Sequence, residues 1–136
     1  MAYVLRFATE YMYDSTIEGI TVDVELSLGG EPVRVRAKLD TGASDCLFRR
    51  RYADLLGLAV EAGERRTFST AAGSFLAYGH EVTIRVLATE CTSIVYFFAD
   101  EAVRRNVLGR HGWLDRVRLG IVDYESTLYL SAHNEA

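Results

Sequence analysis

Residues 33–48 read VRVRAKLDTGASDCLF, and the architecture follows from a change of pattern inside them. From Val33 to Leu39 apolar and polar residues alternate, the period-two signature of a strand with one buried face. The strand then runs straight into Asp40, Thr41 and Gly42, and apolar Cys46, Leu47 and Phe48 follow shortly after. A carboxylate is thereby delivered at a strand end, beside a hydroxyl and a residue without side-chain bulk. Gly42 lets the backbone turn sharply and lets another chain come close. Thr41 can hydrogen-bond across to a neighbouring backbone. The tripeptide leaves two readings open: an ordinary turn, which recruits the same residue types, and a loop built to present Asp40 for chemistry.

Upstream, Ile20 to Leu26 also alternates, and Gly29-Gly30 supplies a turn, so a hairpin is predicted whose second strand enters Asp40. Downstream, Arg50 to Leu58 is the first plausible helix, with Gly57 suited to its C-terminal end. Arg66–Thr70 and Phe75–Tyr78 flank Ala71-Ala72-Gly73-Ser74 and predict a second hairpin. Val82–Leu87 and Thr92–Phe98 supply two more strands. Asn106 to Gly109 is short and apolar before its Gly, and a weak helix over Arg110–Arg116 has Gly112 against it. Val117–Val122 and Thr127–Leu130 close the chain as strands. The expectation is an all-β domain spanning residues 1–136, a closed or folded β-sheet barrel with one or two short helices.

Composition sets the boundaries of function. Hydrophobic residues form 49% and charged residues 25% of 136, ordinary for a soluble globular protein with one core. The formal net charge of -4, from 15 basic and 19 acidic residues, argues against nucleic acid as the main partner. No stretch approaches the roughly 20 apolar residues of a membrane span, and the N-terminus lacks the pattern of a signal peptide. Cys46 and Cys91 match neither a metal spacing nor a disulfide framework, so they are expected as reduced thiols in a cytoplasmic protein. His80, His111 and His133 show no ligand spacing, and no metal site is expected.

Three stretches, in order, resemble the retropepsin-like aspartic peptidases, in particular their single-domain bacterial members. VRAKLDTGASDCLF, ending at Phe48, is similar to the catalytic loop of that family. RRTFSTAAGSFLAYGHEVTI, from Arg65, looks like the flap hairpin, with Ala72, Gly73 and Ser74 at or near its tip and Phe75 just behind. NVLGRHGWLDRVRLGIVDYESTLYL, from Asn106, resembles the closing segment, with Gly109-Arg110 as its Gly-Arg motif. The resemblance covers about Val33 to Leu130. It implies a retropepsin-like acid-protease fold and hydrolysis of peptide bonds with no cofactor, no metal and no covalent intermediate. Its two aspartates share one proton: one carboxylate takes a proton from a bound water while the other gives one to the scissile carbonyl.

The chain has only one such loop, so the resemblance implies a homodimer in which Asp40 faces Asp40 of a second copy. Thr41 of each copy would bond to the partner's loop, Gly42 would offer its carbonyl to the substrate backbone, and Ala72 to Phe75 would close over the peptide. Ala43 stands where pepsin-like enzymes tend to have a Ser that bonds the catalytic carboxylate, which predicts activity nearer neutral pH. Ser44 stands where retroviral relatives commonly have an acidic partner for the Arg of the Gly-Arg motif. Asp45 is then the candidate partner for Arg110, or there is none. Tyr3-Val4-Leu5 and Leu128-Tyr129-Leu130 are readable either as interface strands or as edges of the subunit's own sheet.

Asp115 and Asp123 lack the strand-Asp-Thr-Gly context and are expected in solvated or capping roles. Phe68, Phe75 and Tyr78 are expected to fill the base of the flap rather than line a cleft, and Trp113 to anchor a core or an interface. A non-catalytic peptide-binding or dimerisation module is the alternative to a peptidase. Intact Asp40, Thr41 and Gly42 favour the enzyme.

Overall fold

The computed structural model describes residues 1–136. Alternation in the sequence becomes strand where it was read. Val22, Val24 and Leu26 of β2 (Thr21–Ser27) enter the core, as do Val35 and Ala37 of β3 (Val33–Leu39). On the outer face, Asp23 lies opposite Arg36 and Glu25 opposite Arg34, forming ion pairs at 3.5 and 3.7 Å. Such exposed pairs contribute little to stability, and they serve mainly to fix register.

The chain continues through β4 (Leu47–Phe48), helix α1 (Arg50–Leu55) and a 3-10 turn at Val60–Ala62. Strands β5 (Glu64–Thr70) and β6 (Gly73–Val86) form the next hairpin, and β7 (Thr89–Phe98) returns along β6. After β8 (Val107–Leu108) come β9 (Val117–Val122) and β10 (Thr127–Ala132), while β1 (Thr9–Met12) precedes all of these. Seven strands lie in the order β2-β3-β8-β4-β7-β6-β5, and a further β2–β6 pairing closes the sheet into a barrel. Strands β1-β10-β9 form a second, three-stranded sheet. No helix is long and apolar enough to cross a membrane.

The short strand β8 positions the site. It lies parallel to β3 and antiparallel to β4, occupying the slot between them. The loop from Asp40 to Cys46 therefore has to pass over β8 to join its two neighbours.

Several boundaries differ from the sequence reading. Residues 75–78 and 82–86, read as parts of separate strands, belong to the single strand β6, and Leu87 falls in the turn after it. The reason is a change of buried face. Val82, Ile84 and Val86 face the main core, whereas Ala77, on the opposite face, joins Phe68, Tyr96 and Phe98 in a second apolar cluster. Both faces of β7 are covered at this end, so Val95 to Phe98 is a continuous buried run. Helix α1 ends at Leu55, short of the expected Leu58. Gly57, at φ 76°, closes it with a paired cap in which the Leu58 amide donates to Ala53 and the Gly57 amide to Asp54. Of the weak helix at Arg110–Arg116, only a 3-10 turn at Leu114–Arg116 forms. Leu128-Tyr129-Leu130 lies in β10, the central strand of the smaller sheet, while Tyr3, Val4 and Leu5 are exposed and outside any strand.

The main core joins 20 buried residues, with Phe48 against Phe97 (centroids 6.2 Å apart) among its largest. Trp113 belongs to it, and Leu128 and Leu130 connect the smaller sheet to the barrel. Burying each such large side chain stabilises by about 1.5–3 kcal/mol.

Candidate active site

The Asp40 loop is held from below by backbone hydrogen bonds. The Asp40 amide donates to the carbonyl of Leu108 at 3.0 Å, extending the β3–β8 ladder to the carboxylate's own residue. The Ala43 amide returns to the Asp40 carbonyl at 3.1 Å, and the Gly42 amide donates to Asp40 Oδ1 at 2.9 Å. Asp40 is half-buried, whereas Thr41 and Gly42 are exposed and the Thr41 hydroxyl has no partner within the protomer.

Beyond the turn the loop lies on the residues that follow β8. The Arg110 and His111 amides donate to the carbonyls of Ala43 and Ser44 at 2.9 and 2.8 Å. Gly109 is where the two segments cross. A Cβ there would sit 2.2 Å from the Asp45 carbonyl oxygen and 2.8 Å from that of Ala43, both fixed backbone atoms. The Gly-Arg motif thus has a steric reason for its glycine. Cys46 is fully buried under the same crossing, and its sulfur accepts from the Gly109 amide at 3.4 Å. Burial pushes its thiol up to about 12, which makes it inert as a nucleophile near neutral pH. Cys91 is half-buried and both cysteines are free thiols.

Asp45 is buried and does not pair with Arg110. Its carboxylate accepts from the Ser44 hydroxyl at 2.9 Å and meets Arg66 of β5 at 3.4 Å. The Arg66 guanidinium lies against both Phe68 and Tyr96, 4.7 and 4.9 Å from their ring centres, and donates to the Tyr96 hydroxyl at 3.2 Å. That hydroxyl, and then Asp45, raise its pKa. Arg110 is exposed and makes no ion pair within the protomer. The arm that carries the hairpin is therefore tied to the Asp40 loop through Arg66, a contact with no signature in the sequence.

Asp40, Gly42 and Ala43 share the wall of a cleft of about 480 Å³ with Ala71 and Ala72 at the hairpin turn. Leu47, Phe68, Phe98, Val107 and Arg105 complete much of that wall. Thr41 stands exposed beside it. Gly73 and Ser74 are already paired within β6, opposite Thr70 and Ser69, and are not on the cleft wall. Phe75 packs edge-on against Phe98, centroids 6.0 Å apart, and Tyr78 rests on the main core. Phe68 does both, lining the cleft and packing on Tyr96. Arg105 escaped the sequence reading, though a signal was there: it lies two residues before Val107, the spacing that puts side chains on one face of an extended chain.

The other acidic candidates have structural partners. Asp115 accepts from the Gly112 amide at 3.1 Å and so caps its turn. Asp123 accepts from the Tyr13 hydroxyl, which pushes that phenol up to about 12. His80 Nε2 donates to the Val60 carbonyl at 2.8 Å.

Known proteins bear on this geometry. A family model described as aspartyl protease matches residues 22–112, more than half of the chain and the whole of the Asp40 loop. Among solved structures, a retropepsin-like aspartic protease from Rickettsia conorii is 18% identical. It superposes with a TM-score of 0.64 over 91% of this chain and 99% of that one. The EIAV protease, complexed with the inhibitor HBY-793, is 16% identical with a TM-score of 0.55, over 71% of this chain and 86% of that one. No curated protein matches the sequence. By its family match the chain belongs to the aspartyl proteases, and by its superpositions it has the retropepsin-like fold.

Proposed function

We propose that two copies of this chain pair about a two-fold axis and hydrolyse peptide bonds with the two Asp40 carboxylates. The observation that carries the reading is the placement of Asp40 on the wall of a cleft opposite a hairpin turn, on a loop of which the chain has one. In this mechanism a water lies between the two carboxylates, which at such range hold one proton between them. The ionised carboxylate takes a proton from the water as its oxygen attacks the scissile carbonyl, and the protonated one donates to the carbonyl oxygen. The turn at Ala71–Ala72, ahead of Gly73, Ser74 and Phe75, covers the peptide and excludes water.

The exposed, unpartnered Thr41 supports the pairing, since its hydroxyl is free to reach a second loop. Gly42 leaves the loop backbone open to substrate. Gly109 and Arg110 hold the loop from beneath through backbone contacts. Ala43 offers the carboxylate no hydroxyl, in keeping with activity nearer neutral pH than in pepsin-like enzymes. The common core of both sheets supports a single domain over residues 1–136, and the two free cysteines fit the cytoplasm as the site of action.

The test is cleavage of an unbiased peptide library by wild type and Asp40→Asn, with oligomeric state measured in parallel. Cleavage is expected from wild type alone and to rise with dimer concentration. Equal cleavage by Asp40→Asn refutes the catalytic assignment, and full activity from a strict monomer refutes the shared pair. Binding of peptides without any cleavage favours the non-catalytic module.

A further inference from the structure

We propose that Arg105 selects an acidic side chain in the substrate, an inference that rests on the cleft being a peptide-binding one. Three charged residues line the cleft: Asp40, Asp45 and Arg105. Asp45 is already matched by Arg66 at 3.4 Å and by the Ser44 hydroxyl. Asp40 is the carboxylate assigned to the chemistry. Arg105 is the cation left over, and no acidic group of the protomer lies within ion-pair distance of it. Glu101, close by in sequence, is held by Arg49 at 2.5 Å and is not free to neutralise it.

The surroundings of Arg105 favour a ligand over bare solvation. The same wall carries Leu47, Phe98 and Val107, apolar groups that a bound peptide would press against. With substrate in place and water displaced, a charge pair there is stronger than on open surface. The guanidinium is a planar fork that accepts a carboxylate in two parallel hydrogen bonds. A Glu or Asp side chain laid along Leu47 and Val107 meets that geometry, whereas a Lys or Arg side chain meets like charge. In a two-fold dimer each protomer contributes one Arg105, so an extended peptide encounters one on either side of the bond to be cut.

The test compares wild type, Arg105→Gln and Arg105→Glu on the peptide library. Paired fluorescent peptides with a reduced, non-hydrolysable amide, differing only by Glu or Gln placed in turn at each position flanking that amide, are measured by anisotropy. Wild type is expected to favour acidic residues at one position on either side of the cut bond by roughly 5- to 10-fold. Arg105→Gln loses that preference, and Arg105→Glu shifts it to Lys and Arg. An acidic preference that survives in Arg105→Glu, or its absence from wild type, overturns the inference. Asp40-dependent cleavage without acidic preference leaves the peptidase reading standing and removes only this one. If no Asp40-dependent cleavage occurs, the reduced peptides decide: discrimination of Glu over Gln that vanishes in Arg105→Gln supports the role of Arg105, and equal binding or no binding refutes it.

Discussion

Truncating Arg66 to Ala leaves the Asp45 carboxylate, 8% exposed, with only the Ser44 hydroxyl for company. Breaking a fully buried pair costs about 3–5 kcal/mol because one charge stays behind in a poor solvent. Here the Arg66 side chain is 40% exposed, so water enters readily and about 2 kcal/mol of that is expected. The lost stacking on Phe68 and Tyr96 adds about 0.5 kcal/mol per ring. The sum for Arg66→Ala is about 3 kcal/mol, a large share of the roughly 5–15 kcal/mol that holds a domain folded. Asp45→Asn removes the stranded charge and leaves Arg66 reaching into solvent, at a cost of about 1 kcal/mol. Urea denaturation of wild type, both single variants and the double variant closes a thermodynamic cycle, with an expected coupling of about 1.5 kcal/mol. Arg66→Lys, which keeps charge but not the planar stack, is expected to fall between wild type and Ala. A loss below about 1 kcal/mol in Arg66→Ala, or singles that add within about 0.5 kcal/mol, refutes the idea that this pair ties the hairpin arm to the Asp40 loop.

Gly109→Ala sets a methyl against backbone atoms of Asp45 and Ala43. Overpacking and the strained Arg110 and His111 hydrogen bonds predict a loss of about 3–5 kcal/mol. An unchanged thermal midpoint would rule this out. Gly57→Ala, at φ 76°, should cost about 1 kcal/mol through the same denaturation assay, and a neutral result would contradict the helix cap. The Cys46 thiol, raised from 9.0 to about 12 in the fold, stays protonated there while the unfolded chain ionises. Its contribution is fully present below about pH 9 and is lost as pH rises toward about 12. Between pH 9 and 10.5 wild type should therefore lose roughly 1.5 kcal/mol more stability than Cys46→Ala, and parallel pH profiles would exclude it.

The site was partly legible in the sequence because its loop is a local object. A strand alternation that ends in Asp-Thr-Gly describes neighbours in the chain, and Asp40, Gly42, Ala43 and Ala72 do share one cleft wall. The partner of Asp45 was not legible. Arg110 lies near it through the Gly-Arg motif, yet Arg66 takes the carboxylate, because β5 sets that side chain against Phe68 and Tyr96 within reach of it. The exact centre of the hairpin turn was not legible either. Thr70 pairs with Gly73, which leaves Ala71 and Ala72 as the turn. That register is set by pairing along the whole hairpin, and the turn residues do not announce it.

By itself the sequence determined the all-β character, the hairpin entering Asp40 and the short helix before Gly57. Each rests on a period, a turn or a cap within a few residues. Tertiary structure decided the rest: the closure of the barrel by β2 and β6, the insertion of β8 between β3 and β4, and the face change that makes β6 one strand. It also set the grip of Arg66 on Asp45 and the placement of Arg105 on the cleft wall. Those features join residues far apart in the chain, and a pattern read along one strand carries no record of which strand will lie beside it.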